Sequence, residues 1–142
     1  MIKNFNYYVP ETLIFGAGTF KQLATLPMPG KKALIVTMED RLYVDDTIEL
    51  LRQNGVDYAV FDGVRANPNT HNVNDGACFG LENGCDFVLA VGGGSPIDAG
   101  QCIALMMYEG VEDNDIWDYV QYYEGHKVAK GCVPIVVVST TA

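Results

Sequence analysis

Basic residues are scarce in this chain. Lysine and arginine number 9 against 18 aspartates and glutamates, a formal net charge of −9. A surface of that sign repels both a phosphate backbone and an anionic lipid surface, so neither a nucleic acid nor a membrane is expected as partner. One phosphorylated cofactor stays open, because main-chain amides and a helix N-terminus attract an anion locally whatever the global charge. Long apolar runs are missing as well. No stretch reaches the ~18 residues of a membrane helix, and the opening MIKNFNYYVP has no apolar signal-peptide core. The expectation is a cytoplasmic protein.

Metal-ligating patterns are also thin. The four cysteines, at 78, 85, 102 and 132, form no CxxC, and with two histidines there is no clustered His/Cys set. Neither a zinc site nor a disulfide framework is expected. The cysteines read as reduced thiols, with Cys78 and Cys102 on helices, and His71 and His126 read as loop or surface residues. No GxGxxG follows the first strand, and no Gly-Lys-Ser/Thr makes a P-loop, which disfavours a kinase or ATPase.

What is present is a core. The chain has 142 residues, of which 49% are apolar and 11% aromatic, enough for one domain. ETLIFGAG (11–18) suits a short strand and turn, and FKQLATL (20–26) one or two helical turns closed by Pro27 and Pro29. KALIVT (32–37) is a continuous branched run, as in a strand buried on both faces. Residues 43–55 have helical spacing with Gly55 as stop, and 56–64 make a second strand. A glycine-interrupted helix over 71–85, a strand over 86–93 and a helix over 96–110 follow. A polar, aromatic excursion (109–131) separates them from a last strand at 132–142. Its Trp117, Tyr119, Tyr122 and Tyr123 line a site or, on the preferred reading, fasten the excursion to the surface. The alternation implies an α/β, Rossmann-like, mostly parallel sheet with helices on both faces.

The stretch VLAVGGGSPIDAG (88–100) puts three glycines and a serine where a buried strand ends. Ligands of open α/β sheets bind at that position. Gly92, Gly93 and Gly94 remove the Cβ atoms that would hold an anion off the main chain, and Ser95 adds a hydroxyl. The helix after them points its free amides back at the loop. A diphosphate fits such a cradle. So does a tight strand-to-helix turn with nothing bound, and the glycines alone do not separate the two.

GGGSPIDAGQ resembles the GGGSxxDxxK signature of the iron-containing (group III) alcohol dehydrogenases. NYYVPETLIFGAG is similar to that family's opening strand and KKALIVT to its first nucleotide-domain strand. DGVRANPNTHNV resembles its Asn-Pro-x-x-x-x-Val loop, and VPIVVVSTTA the strand leading into its Thr-Thr-Ala-Gly-Thr-Gly segment. DIWDYV tilts toward the butanol-dehydrogenase-like branch. The resemblance implies a dehydroquinate synthase-like N-terminal domain that binds NAD(P). Gly93, Gly94 and Ser95 would hold the pyrophosphate, and Asp98 would lie near the nicotinamide. Asn67 and Pro68 would contact the adenosine side, while Thr140 and Thr141 reach across from the last strand. Each has a plainer alternative: Asp98 as a dipole-favoured first-turn residue, Asn67-Pro68 as a turn, the threonines as strand packing.

Two positions depart from the family pattern. Gln101 replaces the signature lysine. Met38, followed by Glu39 and Asp40, stands where the family carries a cofactor-selecting aspartate. A carboxylate there accepts from a ribose 2′-hydroxyl and repels a 2′-phosphate, so NAD is favoured over NADP.

The resemblance places catalysis in a second, helical domain that binds a divalent metal, iron or zinc, through one aspartate and three histidines. The expectation is that residues 1–142 are the dinucleotide-binding domain with that domain absent. No catalytic or metal-ligating residue is expected in this chain, which alone would not oxidise a small alcohol to its aldehyde or ketone. A glycerol dehydrogenase- or dehydroquinate synthase-like relative and a non-catalytic nucleotide-binding module are the alternatives. A homo-oligomer, with residues 11–15 pairing across an interface, is also open.

Overall fold

The computed structural model of the chain describes residues 11–120 and 124–141. Four strands, β1 (Lys32–Met38), β2 (Asp57–Val64), β3 (Phe87–Gly92) and β4 (Ile135–Ser139), form one sheet in the order β2-β1-β3-β4. All three pairings are parallel. Parallel neighbours cannot be joined by a tight turn, so each crossover carries helix. These are α1 (Val44–Asn54), α2 (Thr70–Glu82) and α3 (Gly94–Glu109).

Alternation along the central strands sorts the core into two layers. Leu34, Val36 and Val88 face α2 and α3, packing on Val73, Ala77, Ile103 and Met107. Ala33, Ile35, Phe87, Leu89 and Val91 face α1, on Val44, Ile48 and Leu51. Both faces of β1 and β3 are therefore covered, which is why their sequences are unbroken apolar runs rather than alternating ones. On α2, a Cβ at Gly76 would fall 3.0 Å from the Phe61 ring, and one at Gly80 would fall 2.8 Å from Leu34 Cδ2 and Met107 Sδ. The glycines that interrupt this helix let it approach β1 and α3 closely.

Several boundaries differ from the sequence expectation. Residues 11–15 form no strand. A strand needs a neighbour to complete its ladder, and among the described residues none lies alongside, leaving Leu13 and Phe15 84% and 94% exposed. Residues 19–24 are a 3-10 helix, whose end is held by Asn54 Nδ2 donating to the carbonyls of Leu23 and Leu26 at 2.6 and 2.8 Å. The helix expected from 96 begins at Gly94, because proline is tolerated in a first turn where its missing N–H has no partner to lose. The helix expected to reach 85 stops at Glu82, before Gly84 turns left-handed, and β4 is five residues long.

The excursion is fastened down. Glu109 accepts the amides of Lys130 and Gly131 and the Tyr119 hydroxyl. Asn74 of α2 donates to Asp115 at 2.6 Å and accepts from the amide of Ile116. Tyr119 thus serves as a fastener, Trp117 is half exposed, and Tyr122 and Tyr123 lie outside the described residues. All four cysteines are free, with Cys78 and Cys102 on α2 and α3, and His71 and His126 are exposed. No helix among the described residues is long and apolar enough to cross a membrane.

Candidate functional site

The chain runs from β1 outward to β2, then returns to the other side of β1 to form β3. Such a reversal leaves a crevice beyond the carboxyl ends of β1 and β3, where the loops part to opposite faces. Gly92 ends β3 at φ 142°, a conformation closed to side chains, and a Cβ there would meet the Pro96 ring at 2.8 Å. Glycine at 92 is thus fixed by the turn itself.

Gly93 and Gly94 are different. Gly93 is the N-cap of α3, and among the described residues no side chain caps that helix. The amide of Ile97 returns to the Gly93 carbonyl, and Pro96 has no N–H. The helix geometry therefore leaves the amides of Gly94 and Ser95 as donors at its start. Gly94 is exposed, and a Cβ on it would meet no protein atom within 4 Å. No steric demand of the protein requires glycine at 94; open space lies in front of it.

Thr140 and Thr141 are brought to this loop. The Thr140 amide donates to the Gly92 carbonyl at 2.9 Å, and the Thr141 methyl would stand 3.2 Å from a Cβ at Gly93. Ser139 Oγ donates to the Thr141 carbonyl, shaping the same turn. Asp98 is exposed one turn into α3, and Gln101 is exposed about one turn further on. Burial, and then the negative charge of Asp98, push the Cys102 thiol above its ordinary pKa.

At the end of β1, Met38 is half-buried against the core, while Glu39 and Asp40 are exposed. Asn67 and Pro68 stand beyond the end of β2, two strands from β3 and so about 10 Å away across the sheet. Asn67 is exposed at φ 55°, and Asn69 caps α2 by accepting from the amide of Asn72. It is Asn69, directly after the Asn-Pro pair, that starts α2, whose Val73 is buried.

Sequence reasoning missed one pair at this edge. Arg41, at φ 52°, follows Glu39 and Asp40, and its guanidinium meets the Asp62 carboxylate at 3.4 Å. Asp62 reaches it from a bulge, since Val36 pairs with Phe61 but Met38 with Val64. Among the described residues, the three non-glycine positions at positive φ are Arg41, Tyr43 and Asn67. All lie in the loops following β1 and β2, and backbone strain of this kind gathers where a ligand is held. Among the described residues, no group of three His, Cys, Asp or Glu side chains gathers to offer a metal a donor set.

Residues 10–142 match the family description "iron-containing alcohol dehydrogenase". The chain belongs to this family. It is 37% identical to the 1,3-propanediol dehydrogenase of Klebsiella pneumoniae, over 97% of this chain and 36% of that protein. To a probable NADH-dependent butanol dehydrogenase of Bacillus subtilis it is 39% identical, over 84% of this chain and 31% of the relative. A halo-thermophilic archaeal alcohol dehydrogenase from a Red Sea brine pool superposes with a TM-score of 0.83 at 30% identity, covering 98% of this chain and 37% of that one. The chain thus spans about a third of the length of these relatives.

Proposed function

We propose that residues 1–142 are the dinucleotide-binding domain of an NAD-dependent dehydrogenase interconverting a small alcohol with its aldehyde or ketone. The observation that carries this reading is the uncapped start of α3 behind Gly94, with open space where a side chain would stand. The amides of Gly94 and Ser95, reinforced by the helix dipole, hold the pyrophosphate. Gly93 lets it approach the main chain, and Thr140 and Thr141 flank it from β4. Met38 offers an apolar contact beside the adenosine, Glu39 accepts from its ribose, and Asn67 and Pro68 border its far side. Asp98 lies toward the nicotinamide end. The bound nicotinamide supplies the hydride acceptor.

The described residues do not fit a divalent metal, so no step of the chemistry is assigned to one on this chain. The alcohol, and the iron or zinc that would polarise it, are held on this reading by a separate helical domain. The chain alone then binds cofactor without turning over alcohol. Cytosolic conditions would keep its four free cysteines reduced.

Gly94→Ala tests the reading by titrating NADH into the chain and following nicotinamide fluorescence. The new methyl touches no protein atom, so the melting temperature should hold while NADH affinity falls about tenfold or more. Unchanged affinity in this variant, or no binding by the unmodified chain, overturns the proposal.

A further inference from the structure

The loop after β1 carries charges of both signs in succession, Glu39, Asp40 and Arg41. Each sign has an opposite meaning for a dinucleotide. A carboxylate beside the adenosine ribose accepts from a 2′-hydroxyl, whereas an arginine there accommodates a 2′-phosphate. The choice depends on whether Arg41 is available. Its guanidinium stands 3.4 Å from Asp62, whose place in the β2 bulge puts a third carboxylate at the edge of the same crevice.

We infer that Asp62 is a specificity-determining residue, which excludes a 2′-phosphorylated dinucleotide by engaging Arg41 and by adding its own charge. This inference rests on the dinucleotide reading above. Both side chains of the pair are roughly half exposed, at 44% and 48%, so the pair itself is weak. Its effect is electrostatic rather than mechanical. Glu39, Asp40 and Asp62 outnumber Arg41 and Arg65, the latter just past β2, so this edge stays net negative, and a 2′-phosphate brings up to two further negative charges. Removing the Asp62 charge both lowers that repulsion and frees Arg41 to turn toward the phosphate. A 2′-hydroxyl, being neutral, is indifferent to the change so long as Glu39 remains.

The test compares NADH and NADPH binding by nicotinamide fluorescence for the unmodified chain, Asp62→Asn, and Asp62→Asn combined with Arg41→Ala. The isosteric Asp62→Asn should strengthen NADPH binding roughly five- to tenfold, with NADH affinity kept within about twofold. Adding Arg41→Ala should cancel most of that gain, and the gain should shrink as salt is raised. If NADH binds normally and Asp62→Asn leaves NADPH affinity unchanged, the role of Asp62 is refuted while the cofactor site stands. A gain that survives Arg41→Ala also refutes the part assigned to Arg41. If the unmodified chain binds neither nucleotide, the dinucleotide reading falls and this inference with it.

Discussion

The amide of Thr140 donates to the carbonyl of Gly92 at 2.9 Å, tying the end of β4 to the last residue of β3. Two strands separated by a helix and the long excursion thereby meet at the loop that opens α3. The Gly92 carbonyl is satisfied by protein, while the amides of Gly94 and Ser95 two and three residues on are left without an intrahelical acceptor at the helix start. One short segment thus joins a structural glycine, Gly92, to one at 94 that the packing does not require.

That division predicts opposite behaviour for neighbouring glycines. Gly92→Ala forces a side chain to φ 142° and drives its Cβ to 2.8 Å from the Pro96 ring. It should destabilise the fold by about 2–4 kcal/mol, the sum of backbone strain and overpacking. Gly100→Ala, which puts a Cβ 2.9 Å from that of Ala90 beneath α3, should cost about 1–3 kcal/mol. Urea unfolding of both variants beside Gly94→Ala checks this. Equal stability of Gly92→Ala and Gly94→Ala would show that the turn geometry is wrong.

Asp86 fixes the entry to β1, accepting from the amides of Lys31 at 2.8 Å and Lys32 at 2.9 Å. Partial burial works to raise its pKa, but the backbone hydrogen bonds from Lys31 and Lys32 together outweigh it and hold the carboxyl below the ordinary aspartate range. A depressed folded pKa means the carboxylate stabilises above the unfolded value of about 3.9, and that this is lost as pH falls through the folded value. Because Asp86 is exposed, the contribution is about 1 kcal/mol. Asp86→Asn should therefore be less stable than the unmodified chain at pH 6, with the gap narrowing as pH falls below about 4. A gap that persists or widens on acidification would contradict the assignment.

Glu109 should be the main tie between the end of the excursion and α3. Glu109 bridges the end of α3 to Lys130, Gly131 and Tyr119, while Lys127 pairs with Asp118 at 2.9 Å further out. Glu109→Ala removes three acceptor contacts and should speed hydrogen exchange and proteolytic cleavage across 110–131, leaving β1 and β3 protected. Lys127→Ala removes contacts to the Asp113 carbonyl, Asn114 and Asp118, all exposed and all within the excursion itself, and should change exchange less. Equal loosening by the two variants would contradict the central place of Glu109.

Much of this architecture is legible in the residues. Continuous runs such as Ala33–Thr37 and Val88–Val91 announce strands covered on both faces, and Gly55 marks the stop of α1 at φ 74°. Residues 11–15 mislead because alternation signals a half-buried strand only when a partner strand exists, and local sequence does not supply one. The start of α3 lies two residues before the position its proline suggests, because Pro96 is the third helical residue rather than the first. Of the candidate site, the Gly93–Ser95 loop is visible from its glycines and its position after a strand. The pairing of Arg41 with Asp62 is not, because it depends on a bulge between β1 and β2 that no local pattern marks. Sequence also does not divide Gly92 from Gly94. Only the Pro96 ring behind one and the empty space before the other separate them.

The central claim is best tested by following backbone amide resonances of the unmodified chain while ADP, the diphosphate half of the cofactor, is titrated in. Gly94 and Ser95 should show the largest downfield proton shifts, Gly93 and Thr141 should follow, and Asp86 and the excursion should stay still. Saturating ADP that leaves Gly94 and Ser95 unmoved, or that moves only residues away from the start of α3, would contradict the account.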